Sequence, residues 1–237
     1  MTDILDRGAR SPDREIRYAP GETGRVDVYE PEGTARALIV LIHGGFWRNR
    51  YDRLHLRPLA AALAEKGYLV ALPEYRRVGD EGGGWPGTLD DIRSLARGAR
   101  GLLGAEDARL TLAGHSAGGH LALLAAGAES EVDRVVSLAG VLDFAAAVRD
   151  GLSGGAALEF VGSDPAAVAP ADPMQQPVPA CEVVLLHGER DDEVPISYSE
   201  AYAAKDDRVE IVRLPGSHYQ LIDPDEEEFS ALLAALR

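Results

Sequence analysis

The sequence predicts an α/β domain with a mostly parallel central sheet, helices on both faces and a small cap at about residues 142–179. Three observations predict it. Short apolar runs recur from ALIVLIHGG (37–45) to the C-terminal end, and a strand covered on both faces reads as a continuous apolar run. Segments of helical period lie between these runs. Strand and helix alternate from residue 37 onward, the pattern of a parallel sheet built from crossover units, with one long irregular stretch at 142–179. The 237 residues fit a single domain spanning 1–237, large enough to bury a core without disulfide or metal staples.

Residues 11–31 hold two short strand candidates, REIRYA and GRVDVYE, joined by the turn-like PGETG and suited to a sheet edge. The buried run 37–45 follows. Residues 52–66 read as a helix with Leu56, Leu59 and Leu63 on one face, stopped by Gly67. YLVALPEY is a strand, and 88–103 a helix with Leu89, Ile92, Ala96, Ala99 and Leu103 at helical spacing. Asp107 to Ala113 is a strand, 117–126 a small-residue helix and VDRVVSLAG a strand. After 142–179 come the strand CEVVLLHG, a helix over 195–205 and the strand VEIVRLPG. A closing helix carries Phe229, Leu232, Leu233 and Leu236 on one face. The acidic run Asp223 to Glu228 sits where a helix N-terminus favours carboxylates.

With 24 Lys+Arg against 39 Asp+Glu, the formal net charge is −15. An acidic surface repels phosphate backbones and anionic lipid, so neither a nucleic-acid nor a membrane partner is expected. The single cysteine, Cys181, excludes an internal disulfide framework and reads as a buried inert thiol. MTDILDRGAR does not read as a signal peptide, and no run of about 18 apolar residues exists. A cytoplasmic location is the expectation. Whether the chain is a monomer or a homodimer stays open.

In doubly wound sheets, function gathers at the C-terminal ends of the strands. Four such ends carry chemistry. Gly114-His115-Ser116-Ala117-Gly118 is a G-x-S-x-G turn between strand and helix, the setting that projects a nucleophilic serine from the sheet. His43-Gly44-Gly45-Phe46-Trp47 follows another strand, and its glycine pair lets backbone amides face a developing oxyanion. By position the donors are the N–H groups of Gly45, Phe46 and Ala117, with His43 fixing the loop. In GERDDEVP, Asp191 sits at the loop mouth and is the preferred acid, ahead of Asp192 and Glu189. His218, after the last strand, is the candidate general base. His115 should point away from the site, His120 supports the turn, His187 ends a strand and His55 lies in a surface helix. The histidines lack metal-binding spacing, and no phosphate loop is present, so neither a metal nor another cofactor is expected.

These four blocks together resemble the α/β-hydrolase superfamily over nearly the whole chain. HGGFW, PEYR (73–76), GHSAGGHLA (114–122) and SLAGVLDF (137–144) are similar to segments of the carboxylesterases and of the kynurenine formamidase (arylformamidase) group. HGERDDEVP (187–195) is similar to the acid loop of that group and of prolyl-oligopeptidase-like hydrolases. The resemblance implies an α/β-hydrolase fold with nucleophile, acid and base in the chain order Ser116, Asp191, His218. It implies a serine hydrolase acting on a small-molecule ester or amide: a carboxylesterase of small acyl esters first, and an arylformamidase as the alternative. A prolyl-oligopeptidase-like peptidase and a non-catalytic binding module are the remaining readings. Gly44, Trp47, Tyr75, Trp85, Phe144 and Tyr219 are candidate substrate contacts, with Phe46 and Phe160 as further apolar lining. The cap is too short for a large lid, which favours short acyl or formyl groups.

Overall fold

A computed structural model describes residues 7–129, 131–162 and 164–237; residues 1–6, within the segment read for targeting, lie outside the described residues. The strands are β1 (Arg14–Arg17), β2 (Arg25–Tyr29), β3 (Leu38–Ile42), β4 (Leu69–Pro73), β5 (Leu110–His115), β6 (Arg134–Leu138), β7 (Glu182–Gly188) and β8 (Val209–Leu214). They form one sheet in the order β1-β2-β4-β3-β5-β6-β7-β8. The β1–β2 and β2–β4 pairs are antiparallel and the others parallel. The REIR and RVDVY segments thus make the predicted edge pair.

The helices are α1 (Arg57–Glu65), α2 (Gly87–Leu103), α3 (Ala117–Ala126), α4 (Phe144–Arg149), α5 (Leu152–Val161), α6 (Val168–Ala171), α7 (Ile196–Ala203) and α8 (Glu228–Ala235). Side chains alternate across a strand, so β3 feeds two cores. Leu38, Val40 and Ile42 pack with α2, α3 and α7 residues such as Ile92, Leu121 and Tyr202. Ile39 and Leu41 pack on the other face with Leu59 and Leu63 of α1 and Leu232 of α8. Every β3 side chain is fully buried, and each contributes roughly 1.5–3 kcal/mol on burial.

Two expectations are corrected. The helix expected over 52–66 is split into a 3₁₀ turn, Arg53–Leu56, and α1, because Pro58 lacks an N–H and fits only the first helical turn. The stretch 142–179 is not irregular but is largely made of α4, α5, α6 and short 3₁₀ turns. Its Ala- and Gly-rich sequence lacks the polar face that makes helical period visible. Ser153, Gly154 and Gly155, all left-handed, break α5 from within. Cys181 is free but only half-buried. Among the described residues, no helix is long and apolar enough to cross a membrane.

Connectivity places the site. After β3 the chain crosses to α1 on one face, and after the adjacent β5 it crosses to α3 on the other. Loops that part in this way open a crevice at the C-terminal ends of the two strands.

Candidate active site

Ser116 sits between β5 and α3 at φ 55°, ψ −118°, a conformation L-residues rarely adopt. Holding it there costs on the order of 1–3 kcal/mol, which the surrounding packing must supply. The two motif glycines permit the turn. A Cβ on Gly114 would lie 2.2 Å from the Gly118 carbonyl oxygen, and one on Gly118 would lie 2.1 Å from that of Ile42.

The loop after β3 is held from below. His43 is fully buried, with Nε2 2.9 Å from Glu74 Oε1 and Nδ1 2.7 Å from the Gly44 carbonyl oxygen. The Tyr75 hydroxyl donates to the His43 carbonyl at 2.7 Å, and its ring stacks on the imidazole. Glu74 also meets Arg77 at 2.8 Å and the Arg53 amide at 3.2 Å. Burial alone would raise the Glu74 carboxyl; the hydrogen bond and charge of His43, with Arg77, outweigh it and bring it down to about 2. Above this base the chain turns through positive φ at Gly45 (108°), Phe46 (59°) and Trp47 (55°). A Cβ on Gly45 would lie 2.4 Å from Cβ of Tyr51. Among the described residues, no hydrogen bond takes up the N–H of Gly45, Phe46 or Ala117. These amides remain available as anion donors, Ala117 at the first position of α3.

His218, on the loop after β8, places Nδ1 2.7 Å from Asp191 Oδ2. A carboxylate only accepts, so Nδ1–H donates, and in the neutral ring Nε2 keeps its lone pair. Asp191, on the loop after β7, has a fully buried side chain, and its Oδ1 accepts the amides of Glu193 (2.9 Å) and Val194 (2.8 Å). Burial would raise this carboxyl; hydrogen bonds from His187 and His218, the His218 charge and the Val194 amide together hold it far below the usual carboxylate range. Asp192 and Glu189, the competing acids, are exposed.

Ser116 and His218 share a small cleft of about 30 Å³, also lined by Gly45, Phe46, Tyr51, His55, His115 and Tyr219. A larger depression of about 530 Å³ lies at the opposite ends of the strands beside Arg134, Glu182 and Arg208, but its lining includes no serine–histidine pair.

The cleft departs from the expected lining. Phe46 and Tyr219 line it; Gly44, Trp47, Tyr75, Trp85, Phe144 and Phe160 do not. Trp47 packs with Phe144 and Phe160 of the 142–179 segment and with His120, because the left-handed turn at 46–47 directs the indole inward; no described residue of 142–179 lines the cleft, so the expected cap does not cover it. Tyr75 serves the loop base. Trp85 packs edge-on against Phe160, and Gly44 lies under Ser116, where a Cβ would come within 3.1 Å of the serine Cβ. His115 does not point away: its Nε2–H donates to the His218 carbonyl at 3.1 Å, and its ring centroid lies 4.5 Å from that of His218. His55, expected on a surface helix, reaches the cleft because the 3₁₀ turn rotates it inward. Tyr51 and His55 were missed because neither ends a strand.

One stability prediction arises here. His120 is fully buried, and burial holds its ring from the ordinary 6.5 down to about 4. The unfolded chain takes up a proton near pH 6.5, whereas the folded chain does not until pH falls through about 4. The His120 contribution therefore makes stability decline as pH drops through this window and is constant below it. His120 alone accounts for about 3 kcal/mol, with 1.4 kcal/mol per unit. His55, lowered to about 4 mainly by burial, acts in the same direction. Urea denaturation at several pH values from 7.5 to 4.5 measures this loss, and a flat profile contradicts it.

A sheet of this order, with Ser116 after β5, Asp191 after β7 and His218 after β8, has the α/β-hydrolase fold. Residues 26–205 match the BD-FAE family model, and the chain belongs to that family. Solved structures share the fold at low identity. A truncated carbohydrate esterase from gut microbiota is 19% identical, with a TM-score of 0.79 over 95% of this chain and 97% of that one. Esterase B from Lactobacillus rhamnosis, with a tributyrin phosphonate, is 22% identical, with a TM-score of 0.77 over 97% and 86%. Thermogutta terrifontis esterase 2, phosphonylated by sarin, is 20% identical, with a TM-score of 0.72 over 93% and 91%. No curated protein matches the chain.

Proposed function

We propose that this chain is a serine carboxylesterase that cleaves small acyl esters through Ser116, His218 and Asp191. The observation that carries the reading is the 2.7 Å bond from His218 Nδ1 to the buried Asp191, on a histidine that shares its cleft with the strained Ser116. The esterases among its structural neighbours favour the same chemistry.

In the proposed reaction, Ser116 Oγ attacks the ester carbonyl carbon while His218 Nε2 takes its proton. The Gly45, Phe46 and Ala117 amides bind the oxyanion, and Asp191 stabilises the imidazolium. The imidazolium returns the proton to the departing alkoxide, leaving an acyl-serine. Water, deprotonated by the same nitrogen, attacks the acyl carbon; the imidazolium then returns that proton to Ser116 Oγ as the acyl–oxygen bond breaks, freeing the acid.

The narrow cleft sets the acyl preference. Across p-nitrophenyl acetate, butyrate, octanoate and laurate, kcat/KM should be highest for the two shortest and fall by about 10-fold or more at laurate, since the cleft is too small to take up the longer chain. N-formylkynurenine is the companion substrate, because HGGFW resembles the formamidase loop. Turnover of the formamide orders of magnitude above the short esters contradicts the esterase reading and makes the chain an arylformamidase.

A further inference from the structure

Of the buried histidines that the proposed reaction leaves unused, one meets the acid. His187, in β7, is fully buried, with Nε2 3.3 Å from Asp191 Oδ2 and 3.0 Å from the Val194 carbonyl oxygen. Its Nδ1 lies 2.7 Å from Ser199 Oγ, in α7. Carboxylates and carbonyls only accept, so Nε2 carries the hydrogen. In the neutral ring Nδ1 then accepts from the Ser199 hydroxyl, and three groups fix one tautomer. Asp191 Oδ2 thus faces two ring N–H groups, from His218 at 2.7 Å and from His187 at 3.3 Å, while Oδ1 takes two backbone amides. The carboxylate is held on every side.

We propose that His187, held by Ser199, is a positioning residue for the acid. Its Nε2–H keeps Oδ2 in line with His218 Nδ1 and withdraws part of the charge that His218 would otherwise feel. This inference rests on the proposed roles of Ser116, Asp191 and His218. Without the donor, the carboxylate loses one restraint on its rotation, and its field on the base strengthens. The ionisable groups beside His218 are Asp191, His115 and Tyr219, with Tyr51 and His55 on the same cleft, and those facing Asp191 are His187 and His218. Of these, only His187 is altered in the test.

The test is the pH–rate profile with p-nitrophenyl butyrate for the wild type, His187→Leu, His187→Gln, Ser199→Ala and Ser116→Ala, with thermal unfolding of each. His187→Leu should lower kcat by about 10- to 100-fold, the range typical of losing a supporting hydrogen bond behind a functional group, with KM within about twofold. The acid limb of kcat/KM should move up by about half a pH unit or more, because a less compensated carboxylate favours the charged imidazole. His187→Gln places an amide N–H near the Nε2 position and should restore most of the rate and the wild-type limb. Ser199→Ala should shift the limb in the same direction by less. A His187→Leu profile that is only scaled down, with its limb unmoved, overturns the proposal, as does equal impairment of the Leu and Gln variants. If His187→Leu does not fold, an unmoved limb in Ser199→Ala overturns it. Retained turnover in Ser116→Ala instead defeats the underlying assignment, independently of His187.

Discussion

Ser116→Ala should abolish ester turnover and leave the fold intact. Removing Oγ removes the nucleophile that forms the acyl-enzyme in the proposed scheme. The oxyanion donors and the cleft survive, so a small residual rate above water remains. kcat/KM for p-nitrophenyl butyrate is expected to fall by about 10⁴-fold or more, as when any member of a nucleophile–base pair is deleted. The backbone turn is permitted by Gly114 and Gly118, and alanine tolerates φ 55° no better and no worse than serine. The unfolding midpoint should therefore stay within about 3 °C of wild type, a change worth under about 1 kcal/mol. Steady-state kinetics beside thermal unfolding measures both, and turnover near wild type contradicts the assignment.

Asp191→Asn should be nearly as damaging, for a different reason. The carboxylate oxygens face four donors: two backbone amides, His187 Nε2–H and His218 Nδ1–H. An amide side chain has one oxygen. With that oxygen on the Glu193 and Val194 amides, its NH₂ faces both imidazoles. His218 is then driven to carry its hydrogen on Nε2 and accept at Nδ1, which leaves no lone pair toward Ser116. kcat is expected to fall by about 10⁴-fold, the size of a tautomer error in such a triad, with KM changing little. Folding stability also drops, because His187 loses an acceptor inside the protein. A loss in kcat of less than about 10-fold contradicts the role given to Asp191.

Much of this molecule was legible from its sequence. The buried runs at 38–42, 110–115 and 182–188 declared parallel strands because both faces are covered, and the residues beyond them declared the site because loops at those ends converge. Of the three acids in that loop, Asp191, preferred for its place at the loop mouth, is the one that meets His218. What failed to show had physical reasons. Whether an aromatic points into a cleft or a core depends on backbone φ, so the inward turn of Trp47 was invisible and Tyr51 was passed over. The helices of 144–171 hide behind Ala and Gly, which carry little periodic signal. The contact of His187 with Asp191 depends on how the loop after β7 folds back on its own strand, although the i, i+4 spacing of the two residues could have prompted the question.

The most direct test of the central claim is to treat the protein with a p-nitrophenyl alkylphosphonate and locate the added mass by peptide mapping. Phosphonates trap an activated serine in the geometry of the tetrahedral intermediate. The account predicts one phosphonyl group per chain, on Ser116, with activity lost in step with labelling and no label in Ser116→Ala. A protein that stays unlabelled while hydrolysing esters, or that is inactivated by a label elsewhere, contradicts it.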